Sequence, residues 1–500
     1  MSTMVPTSIS FTQIPNTLQV PGDYLEFSGV NANNGAAPTG YVYLILGQML
    51  ASGSAQPLVP VRISGGKQQA DSLFGRGSML SNMVAAAVNA NSMTETWALP
   101  TLDNTAGTAA SGSILFSGTA SQAGTLTLYI GYSGLITPAQ VAVNVGDTAV
   151  TVTAAAAAAV NAILDLPVVA SVNTATAGVL TLTARHKGVA AGQIDVRLLY
   201  YSTDTIPAGL TATVTPMSGG AGEPSATAMV AAISDAQYHV IACPWTDGAT
   251  YSAWYAEMTR RWNAMVSKEG CLVSALHGTP GTLANALSAL NSQFLDCYCS
   301  QNAPTPAFVE CAVIGAVYAA SLESRPNAPM RGKLLPGVMA PALADRFTLA
   351  ERNTLYVEGG SSWTTQTDGS VALEKAVTTY KTNAAGISDT TYHGRWVMAT
   401  LSYLRASWIS WMSAKFLGST FADDGTAMIA GEVTPKMLGN ESCAWYQAMV
   451  NLGYVQDLTG FKNDLVSIRN TQNHARNDQL LAPRLIGPLD IVAGQMAFEE

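Results

Sequence analysis

The sequence predicts a multidomain α/β (α+β) protein with a discontinuous α/β core domain, an inserted β-rich domain and extended N- and C-terminal arms. The chain has 500 residues, more than one hydrophobic core organises. Short apolar runs alternate with helical segments on both sides of a central stretch, a pattern typical of α/β layers. The central stretch, residues 101–222, is poor in charge and rich in Thr, Gly and Ala, which indicates a separate β-rich domain.

The domain boundaries follow from these changes in composition and pattern. We expect, in chain order, an N-terminal arm over residues 1–34, the first part of the core over 35–100, the insertion over 101–222, the second part of the core over 223–330, a C-terminal domain over 331–487 and a C-terminal arm strand over 488–500.

Both ends of the chain alternate apolar and polar residues and have no hairpin partner nearby. An isolated strand is unstable in water, so each end is predicted to add to a sheet edge supplied by another element. A frayed terminus is the alternative for the N-terminal end. The alternating apolar residues are Ile9, Phe11, Leu18 and Val20 at one end and Val492, Met496 and Phe498 at the other.

The core is predicted from continuous apolar runs, which indicate strands buried on both faces. Such runs occupy residues 41–47, 96–99, 238–243 and 271–276, and helices are predicted over residues 251–265, 282–290 and 308–322. The first two strands are expected to join the sheet of the later ones across the insertion.

Inside the insertion, six alternating segments predict strands and one Ala-rich segment predicts a helix over residues 149–164. An immunoglobulin-like adhesin domain would share the strand pattern but not the helix.

The C-terminal domain combines a proline-rich segment with a long helix. Asp345 is predicted to cap a helix whose first turn holds Glu351, and residues 376–380 are predicted to be extended. A later helix is expected over residues 439–452, with a strand around 465–468. The long helix starts at about Trp396 and leaves Arg395, Arg405 and Lys415 off its apolar stripe, which comprises Val397, Leu401, Leu404, Trp408, Trp411 and Met412. The tryptophans are expected in a core or a subunit interface.

Composition excludes several classes of protein. Charged residues make up 11% of the chain and hydrophobic residues 48%, the opposite of a disordered composition. The net charge of −9 forms no basic patch, so nucleic acid is not an expected partner. Neither a secretory signal nor a membrane-spanning helix is recognised, so we expect a soluble chain made in the cytoplasm. The low charged fraction favours a protein that buries much of its surface against copies of itself, although a secreted β-rich protein would have a similar proportion of charged and hydrophobic residues.

No motif indicates catalysis, a metal or a cofactor. The five histidines lack metal-ligand spacing, and the Gly75–Ser78 loop lacks the phosphate-binding Lys-Ser/Thr pair, so this loop is predicted to be a plain helix start. The six cysteines are too few for a disulfide scaffold and are expected to be free thiols, or to pair only after release into an oxidising medium. We therefore expect a protein that is not an enzyme.

Several blocks resemble the tail sheath proteins of Mu-like contractile-tailed bacteriophages. They are LFGRGS (73–78), PGV (336–338), ADRF (344–347), ERN (351–353), TTYKTNAAG (378–386), YLR (403–405), ADDGT (422–426) and VTPK (433–436), together with the N-terminal pattern SFTQIP followed by VPG-x-Y-x-EF.

The resemblance implies a structural subunit of a contractile tail sheath, stacked as hexameric rings around a tail tube and contracting to drive the tube through the host envelope. The implied partners are further copies of the chain, the tail tube protein, and the baseplate and tail terminator proteins. Direct membrane insertion is not implied, and the location is the virion tail after assembly in the host cytoplasm. The insertion would lie outside and the C-terminal domain would face the tube.

We predict two sets of contact residues, the first implied by the resemblance and the second by the need for a releasable contact. The arms would exchange strands between subunits, through Ile9, Phe11, Leu18, Val20, Tyr24, Leu489, Ile491, Val492, Met496 and Phe498. A tube contact that must be released suits exposed charges, and the candidates are Lys415, Lys436, Lys462 and Arg469.

Two other functions are weighed against the sheath. The first is a secreted β-rich adhesin or surface-layer protein, which a signal peptide or acidic Ca²⁺ loops would favour. The second is an α/β hydrolase, which a G-x-S-x-G elbow would favour. The sequence shows none of these features.

Overall fold

The computed structural model describes residues 40–425 and 431–498 of the chain. The first core part contains two helices and three strands: β1 (Val42–Gln48), β2 (Val61–Ile63), α1 (Gly66–Phe74), α2 (Met79–Ala90) and β3 (Glu95–Thr101). Ser78 caps α2, because its hydroxyl accepts a hydrogen bond from the Ser81 N–H at 3.0 Å. The loop at 75–78 is therefore a helix start, as predicted.

The insertion forms two antiparallel sheets and one helix. Its elements are β4 (Ala109–Gly118), β5 (Gly124–Ile130), β6 (Ala139–Val143), α3 (Ala149–Ala162), β7 (Val168–Val172), β8 (Val179–Lys187), β9 (Val196–Arg197) and β10 (Leu210–Ser218). The sheet orders are β10-β4-β8-β7 and β6-β5-β9. The helix was predicted, whereas β7 was not.

The two ends of the insertion meet in a narrow neck. Thr108 and Ala221 exchange backbone hydrogen bonds of 2.8 and 3.1 Å. The Asn104 side-chain amide donates to the Glu223 carbonyl at 3.2 Å. The segment that enters the insertion and the segment that leaves it are thus held side by side.

The second core part alternates helices and strands. Its elements are α4 (Ala226–Ile233), β11 (Val240–Ala242), α5 (Gly248–Trp262), β12 (Cys271–His277), α6 (Pro280–Ser288), β13 (Leu295–Ser300) and α7 (Ala307–Ser324). Among the described residues, α7 alone is long and apolar enough to cross a membrane, and 83% of it is buried inside the protein. That burial is typical of a core helix.

The rest of the chain adds four helices and eight strands within the described residues. They are α8 (Leu349–Val357), β14 (Gly360–Thr365), β15 (Val371–Lys375), α9 (Arg395–Phe416), β16 (Thr420–Phe421), β17 (Glu432–Val433), α10 (Pro435–Asn451), β18 (Val455–Gln456), α11 (Leu458–Asp464), β19 (Val466–Arg469), β20 (Asn477–Leu480) and β21 (Arg484–Leu485).

The central sheet has the order β15-β14-β13-β12-β11-β1-β3-β2. Its six inner strands are parallel and each edge strand is antiparallel to its neighbour. Tyr43 of β1 lies opposite Thr96 on one side and Val240 on the other, so the strands before the insertion join those after it, as predicted. The predicted mixed α/β fold class is confirmed.

Three details differ from the sequence prediction. Thr348, not Asp345, caps α8 in a capping box with Glu351, and Asp345 lies in a short 3₁₀ turn before it. Residues 376–380 form no strand beyond a single bridge at Val377. Residues 458–464, for which no element was predicted, form α11, whose buried Phe461 stacks on Tyr446 with ring centroids 3.8 Å apart.

A buried ion pair fastens the start of α9. Arg395 is 3% exposed, and its Nε donates to both carboxylate oxygens of Asp296 on β13, at 2.8 and 3.0 Å. The sequence placed Arg395 only off the apolar stripe and did not predict its burial. Burial raises the pKa of the Asp296 carboxyl, and the Arg395 charge opposes that rise.

The six cysteines are free thiols, five of them buried, as expected. Burial raises the pKa of Cys243 and of Cys271 to about 12, so neither thiol ionises at neutral pH.

Contacts divide the described chain into two compact units. One comprises residues 40–406, 450–457 and 483–498, and the other comprises 407–425, 431–449 and 458–482. The domain boundaries predicted from the sequence remain predictions.

Candidate assembly surfaces

The C-terminal segment is fastened to the subunit just after β21. The Ile486 N–H donates to the Tyr454 carbonyl at 3.0 Å, and the Asn327 side-chain amide donates to the Ile486 carbonyl at 2.8 Å. Gly487 then crosses the ring of Trp396 so closely that a Cβ would lie 2.6 Å from it. Only glycine allows this close approach, and the position of the segment is therefore set by its backbone.

Asp490 is the last residue of this segment with a fixed partner among the described residues. Its carboxylate lies 3.0 Å from Lys375 Nζ, and its carbonyl accepts from Arg331 at 3.0 Å. Residues 487–498 pair with no strand among the described residues. The predicted arm residues here are 76–91% exposed, namely Leu489, Ile491, Val492, Met496 and Phe498. A run of apolar side chains that no described part of the subunit covers is a surface for another molecule.

The N-terminal candidates Ile9, Phe11, Leu18, Val20 and Tyr24 lie outside the described residues. The first described residues contact His239, which lies just before strand β11. The Val42 N–H donates to His239 Nδ1 at 3.0 Å, and the Tyr41 ring stacks on the His239 ring with centroids 4.5 Å apart. His239 must be neutral to accept this bond.

This contact predicts a pH dependence. Burial, helped by the nearby Lys268 charge, lowers the pKa of His239 from 6.5 to about 4. The unfolded chain therefore takes up the proton first as pH falls, so the stabilisation is complete above about pH 6.5 and is lost between there and about 4, up to roughly 3 kcal/mol. Urea denaturation at several pH values should show this slope, and His239→Gln should flatten it. An equal slope in that variant would contradict the assignment.

The hairpin β19–β20 presents one polar and one apolar face. Ser467 Oγ donates to the Pro435 carbonyl at 2.7 Å and accepts from the Asn477 amide at 3.0 Å, which ties the polar face to the start of α10. On the other face, Val466, Ile468 and Leu480 are 44%, 55% and 61% exposed. This sheet has only two strands within the described chain, so both of its edges are open. The sequence predicted a strand around residues 465–468, which β19 confirms, but not its partner β20 or the exposed apolar face.

The four cationic candidates differ in their surroundings. Lys415, near the end of α9, has its Nζ 2.6 Å from Glu441 Oε2 and above the Trp411 ring. Arg469 on β19 lies 2.8 Å from Asp423. Lys436 and Lys462 are exposed, and neither forms an ion pair with another described residue. Two of the four charges are therefore already neutralised within the subunit.

No group of three or more His, Cys, Asp or Glu side chains that could hold a metal occurs in residues 40–425 or 431–498.

Comparison with known proteins identifies the family. No family model matches the chain. The chain is 35% identical over 493 residues to the Mu-like prophage FluMu tail sheath protein of Haemophilus influenzae, which covers 98% of this chain and 99% of that protein.

Solved structures of sheath tail proteins are also similar. The protein of Desulfitobacterium hafniense has a TM-score of 0.47 at 13% identity, covering 93% of this chain and 100% of that one. The protein of Listeria innocua has a TM-score of 0.45 at 12% identity, covering 91% and 97%. At these scores the assignment rests on the Haemophilus relative alone. The 35% identity over nearly all of both sequences confirms the resemblance, and the chain belongs to the tail sheath proteins of Mu-like phages, structural components of the virion tail.

Proposed function

We propose that the chain is the subunit of a contractile sheath, which stacks as hexameric rings around a tail tube and contracts to drive the tube through the host envelope for genome delivery. Its partners are further copies of itself, the tail tube protein, and the baseplate and tail terminator proteins. Assembly takes place in the host cytoplasm. The observation that carries this proposal is the 35% identity to a tail sheath protein over 98% of the chain.

Subunits are linked by strand exchange in this proposal. The arm beyond Asp490 has exposed apolar residues and no sheet, whereas the β19–β20 hairpin has open edges and no further strand within the described chain. A lone arm strand and a two-stranded hairpin are each marginally stable in water, because a sheet needs three or more strands for independent stability. Strands from neighbouring subunits, including Ile9–Val20, would complete this hairpin. Backbone ladders tolerate rotation of the bodies they connect, so the links survive contraction while side-chain interfaces change.

Electron microscopy of the purified, overexpressed protein tests the proposal. Hollow polymers of uniform diameter are expected. A protein that stays monomeric at high concentration, or forms fibres without a lumen, would overturn it.

The tube contact gives a second prediction. We propose that the region 423–476 grips the tube through Lys436, Lys462 and Arg469, joined by Lys415 at the end of α9. Reversing all four charges should abolish co-sedimentation of sheath with tube, and Lys436→Glu with Lys462→Glu should account for most of the loss, because Glu441 and Asp423 already neutralise the other two. Salt should weaken this contact more than sheath polymerisation. Lys333→Glu, also exposed, is the matched control. Unchanged tube binding in the fourfold variant would rule out this surface.

The insertion gives a third prediction. We propose that it lies on the outside of the sheath, because the inner surface must fit the tube. Replacing residues 105–221 by a short Gly/Ser bridge is feasible because the neck holds Asn104 beside Glu223. Polymers of smaller diameter are expected, with some loss of stability, since Lys67 and Arg76 lose their shared partner Asp165 at 2.9 and 2.8 Å. Failure of a folded, soluble deletion variant to polymerise would contradict the outer placement.

A further inference from the structure

Strand β7 lies at the edge of the four-stranded sheet of the insertion, so only one of its sides is paired with another strand among the described residues. Its pairing with β8 is antiparallel and shows no bulge. The Pro167 carbonyl accepts the Arg185 N–H at 2.9 Å. The Asn173 N–H donates to the Val179 carbonyl at 2.9 Å, so odd-numbered residues turn their backbone groups towards β8. The backbone N–H and C=O of Ala170 therefore point away from the sheet.

The side-chain amide of Asn161 pairs with these outward-facing groups of Ala170. The amide nitrogen donates to the Ala170 carbonyl at 2.8 Å, and the amide oxygen accepts the Ala170 N–H at 3.0 Å. These are the two hydrogen bonds that a residue of a further antiparallel strand would form at the same place. Asn161, in the last turn of α3, thus substitutes for a strand at the middle of the β7 edge.

The strand itself carries no protection against pairing with another chain. Natural edge strands are protected by a charged residue, a proline, a bulge or a covering element. Residues 166–184 contain no charged side chain, and the only proline there, Pro167, precedes the strand. The strand sequence VVASV is rich in valine, which favours β-pairing. Covering this edge is therefore left to α3 and its Asn161.

The composition of α3 indicates that Asn161 is present for this contact. Residues 154–159 are six consecutive alanines, the best helix former, whereas asparagine is a poor one. Asn161 is exposed, and among the described residues its side chain bonds only to Ala170. Alanine at this position would strengthen the helix and lose only the contact with the edge.

We propose that Asn161 keeps the β7 edge closed and so prevents the insertions of two copies of the chain from pairing edge to edge. The occupant that it excludes is β7 of a second copy, because an uncharged strand meets no charge repulsion from its own copy. This edge belongs to a different sheet from the β19–β20 hairpin, and its closure does not depend on the sheath function.

The variant Asn161→Ala of the full-length protein tests this role, with the wild type at the same concentration as the reference. The variant should associate beyond the wild-type state, and its mass by light scattering should rise about twofold or more, since pairing joins at least two copies. In the associated fraction the Ala170 amide should stay protected from hydrogen exchange, because the strand of the second copy replaces the Asn161 side chain.

Asn173→Ala is the matched control, because it also removes two hydrogen bonds between an asparagine side chain and the backbone, those with Ala175 at 2.9 Å and Thr176 at 3.1 Å. Asn173 lies in the turn after β7 and not on its edge, so this variant should not associate. Adding Val169→Lys to Asn161→Ala should restore the wild-type mass. Val169 is 44% exposed on β7, and a lysine protects an edge strand from pairing.

An unchanged mass for folded Asn161→Ala would overturn the proposal. Equal association of the Asn173→Ala variant, or association that Val169→Lys does not reverse, would indicate lost stability rather than edge pairing and would overturn it too. Fast exchange of the Ala170 amide in the associated fraction would place the contact elsewhere, with the same consequence. Circular dichroism shows whether each variant is folded, and Asn161→Ser, whose shorter side chain lacks the amide, serves if Asn161→Ala does not fold.

Discussion

Removing residues 488–500 is expected to abolish polymerisation and to leave a soluble, folded subunit. The truncation removes the exposed arm, and the only described ion pair it breaks is that of Lys375 with Asp490, whose side chains are 37% and 39% exposed. Such a pair contributes at most about 1 kcal/mol. Removing residues 1–22 is expected to have the same effect on polymerisation. Sedimentation velocity measures the polymers, and circular dichroism measures the fold.

Lys375→Ala is the matched control, because it breaks the same ion pair and keeps the arm. It should polymerise normally. Polymers of normal length from either truncation would show that the arms do not link subunits. Unfolding of a truncated subunit would show instead that its arm belongs to its own core.

Replacing Arg395 by alanine is expected to lower the free energy of unfolding by about 3–5 kcal/mol, because it leaves the fully buried Asp296 without its partner. The direction in which the stability of this variant changes with pH can also be predicted. Burial already raises the pKa of Asp296, and removing the opposing Arg395 charge raises it further above the unfolded value, so the variant loses stability as pH rises and regains part of it in acid. Denaturation midpoints at pH 4.5 and 7.5 measure this difference.

Two further variants distinguish the effect of the unpaired buried charge from the effect of losing side-chain packing. Arg62→Ala, at an exposed pair, should cost less than about 1 kcal/mol. The double variant Asp296→Leu with Arg395→Met should recover most of the loss, since an apolar pair replaces a buried ion pair at little cost. A cost for Arg395→Ala no larger than that for Arg62→Ala would contradict the role of the pair.

The sheet was predictable because strands buried on both faces leave a continuous apolar run. Residues 41–47 and 238–243 show such runs, and they became the adjacent strands β1 and β11. Their pairing across the insertion followed from composition, because the intervening stretch differs so clearly from both flanks. The long helix α9 was predictable from its apolar period.

The sequence prediction chose the wrong capping residue for α8 and did not predict the helix α11. Asp345 and Thr348 are both good capping residues, and only the spacing of three to Glu351 selects Thr348. The segment containing Phe461 has no strong period of its own, and its helix depends on packing against Tyr446. Tertiary contact decided the second case, and no local pattern carries that information.

Contacts between distant residues were not predictable at all. Asp296 and Arg395 are 99 residues apart, and a helical period treats an arginine at the start of a helix as surface. The close approach of Gly487 to Trp396 and the unpaired indole of Trp363 likewise exist only in three dimensions. A single sequence therefore predicted apolar residues in the C-terminal segment, but not the residues that fasten that segment or the cavity of about 250 Å³ beside β14.

The neck at Thr108 and Ala221 fixes the distance between the two ends of the insertion. Because its two strands of chain are already hydrogen-bonded to each other, the length of what lies beyond them does not alter the spacing between β3 and α4. A substituted domain with adjacent termini would keep this spacing but would lose the ion pairs that Lys67 and Arg76 form with Asp165.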